Sequence, residues 1–387
     1  MFQFIFYVLI LILPVIGEKL ILVQTIFRHG DRTPSTTYPN DPYQESFWKE
    51  SWGQLTTKGM TQHFEQGIKI RDRYIYDHPF ISGEYRDYNV YVRSTDVNRT
   101  LMSAYSHIAG FYENSNNTYP LGNGHWPTRW TPVPVHTVER DDDHLLNTGA
   151  HCPRRDAIHE LLKSNSAFKA FMSQQEPLLR TISQKTGINT NDFNTFSHVE
   201  EFYSGTKIEK DNNLKLPAWI TDSLWEQFIN GKFRQDDYLS GNADFGWPEN
   251  VELITLKGGV LLKTLIDNMD LVLAGRTKKK FFMYSAHDTT LSALLRTLQA
   301  KHEVLGIYSP DYAATIILEL WEADNKIPFI RVRYIPNAAS QIQHITKFIK
   351  GCGGGDDCFL TDFKKRSEKF LGTHIHHLCG DTKRLFD

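Results

Sequence analysis

Three short apolar segments along the chain each end in a cluster of ionisable side chains. The segments span residues 20–27, 88–92 and 281–285. The clusters that follow them contain Arg28, His29 and Arg32 after the first, Arg93 after the second, and His287 and Asp288 after the third. Runs of this length that are rich in β-branched and aromatic residues are typical of buried β-strands. The pattern therefore predicts three strands that each carry charged side chains at the carboxyl end.

Segments with helical periodicity separate these strands. They cover residues 59–73, 97–109, 251–269 and 291–298, the last with Thr289 or Thr290 as its N-cap. This alternation predicts an α/β fold with a doubly wound, mainly parallel sheet, in which the strands' carboxyl ends share one edge. We therefore expect the three charged clusters to meet. Residues 313–322 and 329–334 alternate around a polar turn and predict a hairpin.

The middle of the chain has a different pattern. Residues 150–250 are rich in polar helical patches and aromatic side chains and lack strong strand runs. We interpret this segment as a mostly helical cap domain. It would be inserted into an α/β core formed by residues 18–149 and 251–387.

The amino-terminal segment indicates export. Between residues 2 and 16, 13 of 15 residues are apolar, and small Gly17 suits cleavage, so residues 1–17 are interpreted as a signal peptide. An uncleaved anchor is the alternative. A second apolar run of spanning length does not occur in the sequence, so we expect no stable membrane span after cleavage.

Four cysteines and two sequons fit an exported chain. Cys352 and Cys358 bracket a glycine-rich loop that can close on itself, which leaves Cys152 to pair with Cys379. Zinc-ligand spacings are absent. The glycosylation candidates are Asn98 and Asn116. The net charge, 43 basic minus 45 acidic residues or −2, argues against a nucleic-acid partner.

The arginine-rich clusters suit phosphate chemistry. A guanidinium stays charged and donates paired hydrogen bonds to phosphoryl oxygens, so Arg28, Arg32 and Arg93 are candidate phosphate ligands. Positive neighbours favour the neutral form of the imidazole, and neutral imidazole is the nucleophilic form. His29 is therefore the candidate nucleophile.

The third cluster supplies a further ligand and an acid. We expect His287 to contact the phosphate and Asp288 to donate a proton to the leaving oxygen, because a bound anion raises the pKa of a neighbouring carboxyl. The side chains provide the cations that phosphoryl transfer needs. Neither a metal nor a cofactor is expected.

Residues 27–34, Phe-Arg-His-Gly-Asp-Arg-Thr-Pro, match the RHGxRxP signature of the histidine acid phosphatases, the two-domain branch 2 of the histidine phosphatase superfamily. The resemblance to the prostatic and lysosomal members continues over residues 53–60, 92–96, 134–138 and 284–290. It implies an α/β domain with a helical cap and a phosphohistidine formed on His29. It also implies a phosphomonoester substrate, a secreted or lysosomal location and a homodimer.

The sequence departs from these relatives in two respects. The vertebrate enzymes carry six cysteines where this chain has four, and the lysosomal relative has a carboxy-terminal anchor that is not visible here. Two alternatives stay open. One is a phytase-like inositol polyphosphate phosphatase with extra cap cations, for which the candidates are Arg154, Arg155 and Lys163. The other is a catalytically silent secreted binding protein on the same scaffold.

Overall fold

A computed structural model describes residues 17–113, 125–126 and 130–380. The segment interpreted as a signal peptide, up to residue 16, and the sequon at Asn116 lie outside the described residues. Within the described part of the chain, none of the helices combines the length and the apolar character needed to cross a membrane.

The described strands form one sheet. They are β1 Glu18–Arg28, β2 Val90–Ser94, β3 Phe281–Ala286, β4 Thr315–Ala323, β5 Pro328–Ile335, β6 Gln343–His344 and β7 Cys358–Phe359. The strand order is β2-β3-β1-β4-β5-β6, with β7 also paired to β5. Strands β2, β3 and β1 are mutually parallel, whereas β4 pairs with β1 and with β5 in antiparallel fashion. The three strands predicted to carry the charged clusters are therefore neighbours.

Helices lie between and after these strands. The α-helices are α1 Thr57–Arg71, α2 Asn98–Phe111, α3 Pro153–Ser164, α4 Ser166–Thr186, α5 Glu200–Asp211, α6 Asp222–Tyr238, α7 Val251–Ile254, α8 Val260–Leu273, α9 Asp288–Thr297, α10 Lys301–Leu305, α11 Leu360–Ser367 and α12 Ile375–Leu378. Two π-helical segments extend α1 and join α7 to α8, Asp72–Asp77 and Thr255–Gly259. Short 3₁₀ turns occur at Glu45–Phe47, Arg140–Asp142, Phe196–Val199, Thr346–Phe348 and Glu368–Phe370.

Both faces of the sheet are covered by helices. Successive side chains of a strand point to opposite faces, and β1 follows this rule. Leu22 and Ile26 pack in a core cluster with α8 and α9, while Val23 and Phe27 pack in a second cluster with α1 and α2. The predicted α/β fold wound on both faces is confirmed, and the predicted hairpin forms as β4 and β5.

The segment 150–250 is mostly helical in the structure. Its helices α3–α6 share a third hydrophobic cluster, which includes Phe202, Trp225 and Phe228. Disulfides join Cys152 to Cys379 and Cys352 to Cys358, the pairs favoured by the sequence. Both cysteines of the first bridge belong to the third cluster. The carboxy-terminal α12 is thereby tied to this helical segment.

One local prediction was wrong. Helix α9 begins at Asp288 with His287 as its N-cap, and neither Thr289 nor Thr290 caps it. The Thr290 hydroxyl, in the first turn of α9, already makes two hydrogen bonds. It accepts from the His287 backbone N–H (3.4 Å) and donates to the Leu146 carbonyl (2.6 Å). As a result, Asp288 lies at the positive end of the helix dipole, where a carboxylate is favoured.

Candidate active site

The register of the parallel strands brings the predicted clusters together. Arg28, at the end of β1, pairs with Ala286 of β3, and Ser94, at the end of β2, pairs with Ser285 of β3. His29 follows β1 directly, and its backbone N–H donates to the Ala286 carbonyl (3.0 Å). The rings of His29 and His287 lie with their centroids 5.6 Å apart. The sheet edge therefore carries the candidate nucleophile beside the candidate phosphate ligands.

His29 is held in one tautomer. Its side chain is buried, and Nδ1 lies 2.8 Å from the Gly30 carbonyl oxygen. A carbonyl can only accept, so Nδ1 carries the proton and Nε2 keeps its lone pair. Burial, followed by the positive charges of Arg28 and Arg99, holds the pKa of His29 well below its usual value. The imidazole is therefore neutral and nucleophilic at acid pH.

Gly30 is required by a close approach of two backbone segments. A Cβ at this position would lie 2.4 Å from the carbonyl oxygen of Gly59, in the first turn of α1. Any larger residue would push the loop after β1 away from α1. The glycine in the signature thus fixes the carbonyl that orients the imidazole.

The three predicted phosphate-binding arginines are anchored by different partners. Arg28 donates to the Pro310 carbonyl (2.7 Å) and stacks on Tyr312, with the guanidinium carbon 4.2 Å from the ring centroid. Arg93 pairs with Asp143 at 2.5 Å. Arg32 donates to the Thr33 carbonyl (3.0 Å).

These arginines keep unused donors. The Nε atoms of Arg28, Arg32 and Arg93 are buried and have no hydrogen-bond partner among the described residues. A buried donor without an acceptor is costly, and a phosphoryl group offers several acceptor oxygens. The set is therefore suited to an oxyanion.

His287 and Asp288 start α9 at the same edge. His287 Nε2 lies 3.0 Å from the Thr95 hydroxyl, and burial together with the charge of Arg99 lowers the pKa of His287 to about 3. Asp288 lies 3.4 Å from Arg28 and its side chain is 32% exposed. Burial alone would raise the pKa of Asp288, but the charges of Arg28 and His287 lower it. When no substrate is bound, the Asp288 carboxyl group is therefore ionised.

Sequence reasoning missed Arg99. It lies in the first turn of α2, directly behind β2, and its charge lowers the pKa of both His29 and His287. Burial and the neighbouring charge of Arg32 lower the pKa of Arg99 to about 10. Its Nε has no partner within the described ranges. The helix that follows a motif-bearing strand was the available signal, because its first turn faces the strand's carboxyl end.

A cavity of about 480 Å³ opens beside Arg28, Arg32 and Asp288. Helix α5 contributes Glu200, Tyr203, Ser204, Lys207, Ile208 and Asp211, and further lining residues include Ile229, Phe233, Tyr308 and Tyr312. The helical segment therefore forms a wall of the space that a leaving group would occupy.

The extra cations considered for a polyphosphate substrate do not line this cavity. Arg154 is paired with Glu252, Arg155 with Asp156, and Lys163 with Glu160. Each of these pairs lies on the helical segment or its border.

Of the two glycosylation candidates, Asn98 is described. It is exposed at the first position of α2, next to Arg99, and its amide donates to Gln54 Oε1 (3.3 Å).

Comparisons with known proteins identify the family of this chain. The family model described as "Histidine phosphatase superfamily (branch 2)" matches residues 19–335. Prostatic acid phosphatase of Rattus norvegicus is 35% identical over 340 residues, which cover 87% of this chain and 83% of that protein. Lysosomal acid phosphatase of Homo sapiens is 34% identical over 320 residues, or 82% and 71% of the two chains.

Solved structures of bacterial enzymes share the fold. A phytase of Hafnia alvei superposes with a TM-score of 0.65 at 15% identity, covering 95% of this chain and 99% of that chain. A multiple inositol polyphosphate phosphatase of Bifidobacterium longum gives a TM-score of 0.58 at 12% identity, with 94% and 95% coverage. At these identities the likeness shows the fold alone.

Proposed function

The chain belongs to branch 2 of the histidine phosphatase superfamily and is an acid phosphatase, a phosphoric monoester hydrolase, and we propose that it works through a phosphohistidine on His29. The observation that carries this mechanism is the hydrogen bond from Nδ1 of His29 to the Gly30 carbonyl, which leaves Nε2 as the free nucleophile.

The first step transfers the phosphoryl group to the enzyme. Nε2 of His29 attacks phosphorus with its lone pair, and the bond between phosphorus and the ester oxygen breaks. Asp288 donates a proton to that oxygen, so the leaving group departs as a neutral alcohol. The phosphoryl oxygens are held by the guanidinium groups of Arg28, Arg32 and Arg93 and by His287.

The second step regenerates the enzyme. Water attacks the phosphorus atom of phospho-His29, the bond between phosphorus and nitrogen breaks, and Asp288, now a carboxylate, accepts the proton of the water. The nitrogen recovers its lone pair and inorganic phosphate is released. Asp288 thus returns to the protonated form for the next turnover.

The charges around Asp288 support activity at acid pH. A bound phosphoryl dianion offsets the positive charge of Arg28 and so raises the pKa of Asp288 from its lowered value. Because the acid form does the first step, kcat falls as the pH rises through that pKa. His29 stays neutral on the acid side because its own pKa is lowered.

The test is release of nitrophenol from nitrophenyl phosphate, with and without a chelator. His29→Ala should lose at least about 10³-fold in kcat. Quenching in alkaline denaturant with phosphate-labelled substrate should trap label on wild-type protein only, because the phosphorus–nitrogen bond of phosphohistidine is stable in alkali and hydrolyses in acid. The matched control is His198→Ala, an exposed histidine on the helical segment. Full activity in His29→Ala, or loss of wild-type activity with chelator, would refute the mechanism.

The cavity favours simple monoesters over inositol polyphosphates. Beyond Arg28 and Arg32, its lining offers Lys207 as a cation, whereas Glu200 and Asp211 are acidic. We expect a higher kcat/KM for an aryl or alkyl monoester than for inositol hexakisphosphate. The silent binding protein is tested by the same assay, because it would be folded and without turnover.

We further propose a secreted or lysosomal location, in which Asn98 is glycosylated and residues 1–17 are removed. The two disulfides support an oxidising compartment. Mass spectrometry of protein secreted from animal cells tests cleavage and glycosylation together, and sedimentation of the same sample tests the homodimer.

A further inference from the structure

A second cavity, of about 330 Å³, lies next to the catalytic cavity. The two share Phe233, Tyr308 and Ser309 as lining residues. The aromatic rings of Phe233 and Tyr308 contact each other, with centroids 5.5 Å apart. The second cavity extends from this pair along α9, the helix that begins with Asp288.

The lining of the second cavity carries more positive than negative charge. Its basic residues are Lys163, Lys257, Arg296 and Lys301, and its acidic residues are Asp236 and Asp237. Both acids are already paired. Asp236 binds Lys232 at 2.8 Å, and Asp237 binds Arg296, Lys301 (2.7 Å) and His302 (2.8 Å).

Lys257 is the cation without a counterion. It lies in the π-helical segment before α8, and its ammonium group contacts the Ser240 hydroxyl at 3.3 Å. Within the described residues, no carboxylate forms an ion pair with it. Burial, then the positive charges of Arg296 and Arg155, lower the pKa of Lys257 to about 7, and Asp236 is the one acid that opposes them.

Two further side-chain nitrogens, which belong to residues that line this cavity, have no hydrogen-bond partner among the described residues. Nε of Arg296 and Nε2 of His159 are buried and lack a hydrogen-bond partner in the part of the chain that the structure describes. Burial and the charge of Lys257 lower the pKa of His159 to about 4, which shows that the two side chains interact. Hydroxyl groups, among them those of Ser240, Thr289 and Ser292, add to the polar lining.

We propose that this second cavity binds an inorganic oxyanion of the phosphate and sulfate class, with Lys257 as its central ligand. The anion would supply the missing counterion for Lys257 and an acceptor for the free Arg296 donor. The site is separate from the catalytic arginines, and free phosphate, the product of the enzyme, is an anion of this class.

Anion binding at this site would be linked to proton uptake. A bound anion favours the charged ammonium, so Lys257, which is partly neutral near pH 7, becomes protonated when the site fills. Binding should therefore weaken as the pH rises. Sulfate is a clean probe of this effect, because its own charge is constant over the range used.

The experiment measures sulfate binding by titration calorimetry at about pH 6. Wild-type protein should show two classes of site, one at the catalytic arginines and one at Lys257. Lys257→Met should lose about tenfold or more in affinity at one class, as expected when a charge-assisted hydrogen bond is removed. Its kcat/KM for nitrophenyl phosphate should equal that of wild type. The class that Arg93→Met weakens identifies the catalytic site.

Lys263→Met is the matched control. Lys263 follows six residues later, in α8, and is already paired with Asp267 at 2.6 Å, so its loss should leave both classes of sulfate site unchanged. A single class in wild type, or two unchanged classes in Lys257→Met, would overturn the proposal.

A second measurement does not depend on the variant's folding. In wild-type protein the sulfate affinity of the second class should fall about tenfold or more between about pH 6 and about pH 9. Affinity that is independent of pH for every class would also overturn the proposal.

Discussion

Asp288 at the sheet edge and Glu209 in the helical segment are two carboxyl groups with opposite pKa shifts. Burial acts in the same direction on both and favours the neutral acid. At Asp288 the charges of Arg28 and His287 outweigh burial and lower the pKa. Glu209 on α5 is 0% exposed, and burial together with the neighbouring charge of Asp41 raises its pKa to about 9.

Because burial acts on both groups, the difference in their pKa values comes from their neighbours, which are cations at Asp288 and a second carboxyl group at Glu209. Glu209 holds its proton at every pH where an acid phosphatase works, so it can neither give it up nor take it back. Asp288 has cations beside it, and a bound phosphoryl group can offset them. Only the arrangement at Asp288 makes the pKa of the carboxyl group depend on the presence of substrate.

The largest expected effect comes from removing Asp288, the proposed proton donor at the sheet edge. Asp288→Asn keeps the shape of the side chain and should reduce kcat by about 10²- to 10⁴-fold on alkyl phosphates, which have poor leaving groups. On nitrophenyl phosphate, whose leaving group needs no proton, the loss should be much smaller. Steady-state kinetics on both substrates measures the ratio.

The matched variant for that experiment is Glu209→Gln, which replaces the other carboxyl group by an amide of the same shape. It should leave kcat on both substrates at the wild-type value. If Asp288→Asn slowed both substrates equally, the contrast in proton exchange between the two sites would not hold.

The second prediction concerns the cations that distinguish the two sites. Arg99→Gln should lower kcat/KM about tenfold or more, because a cationic guanidinium is removed beside the proposed phosphate ligands. It should also raise the pKa of His29 and shift the acid limb of the pH profile upwards, since Arg99 repels the protonated imidazole. The pH dependence of kcat/KM measures both effects.

Arg86→Gln is the control for that variant, because Arg86 is exposed and paired with Glu84. An Arg99 variant with lower activity but an unshifted pH profile would show that the residue acts on folding and not on the charge of the site.

The third prediction concerns stability. The folded chain keeps the Glu209 proton up to about pH 9, whereas the unfolded chain releases it near the ordinary value of 4.5. The folded state therefore binds more protons between these values, and the free energy of unfolding falls as the pH rises through this range. Glu209→Gln should remove this dependence and raise the melting temperature at about pH 8 by about 2 to 4 °C.

Thermal unfolding of wild type and Glu209→Gln at about pH 5 and about pH 8 tests it. The two proteins should differ less at the lower pH. An equal difference at both values would show that the amide acts through packing and that the glutamate does not hold a proton.

The smallest effect is expected from Asp41→Asn, which removes the charge next to Glu209 and keeps an acceptor for the Tyr43 backbone N–H. Burial is the larger cause of the raised pKa of Glu209. The free energy of unfolding should therefore still fall as the pH rises, but less steeply than in wild type. A change of about 1 to 2 °C in the melting temperature at about pH 8 is expected. If the stability of Asp41→Asn depended as little on pH as that of Glu209→Gln, the charge of Asp41 and not burial would be the larger cause of the raised pKa of Glu209.

Much of the sheet edge could be predicted because its information is local. Arg28 and His29 follow one apolar run and His287 follows another, so each could be placed at a strand end without knowledge of the rest of the fold. The start of α9 was misplaced because the Thr290 hydroxyl has a partner, Leu146, that is distant in sequence.

The remainder depends on contacts between distant segments. The side chains of Asp41 and Glu209 meet only when the loop after β1 packs on α5, and no periodicity of either segment indicates it. The same holds for Lys257, whose neighbours Arg296 and Arg155 come from α9 and α3. Such charge environments follow from tertiary packing, which a single sequence does not reveal.

The Cys152–Cys379 bridge spans 227 residues and so constrains the order of events during synthesis. The helical segment leaves the ribosome long before Cys379 does, and until then its cysteine has only non-native partners or none. The covalent closure of the segment is therefore a late step, which follows the synthesis of Cys379. If this order holds, Cys152 should still be a free thiol in chains stalled before residue 379. Premature pairing of Cys152 with Cys352 or Cys358 is the misfolding route that an isomerase would have to correct.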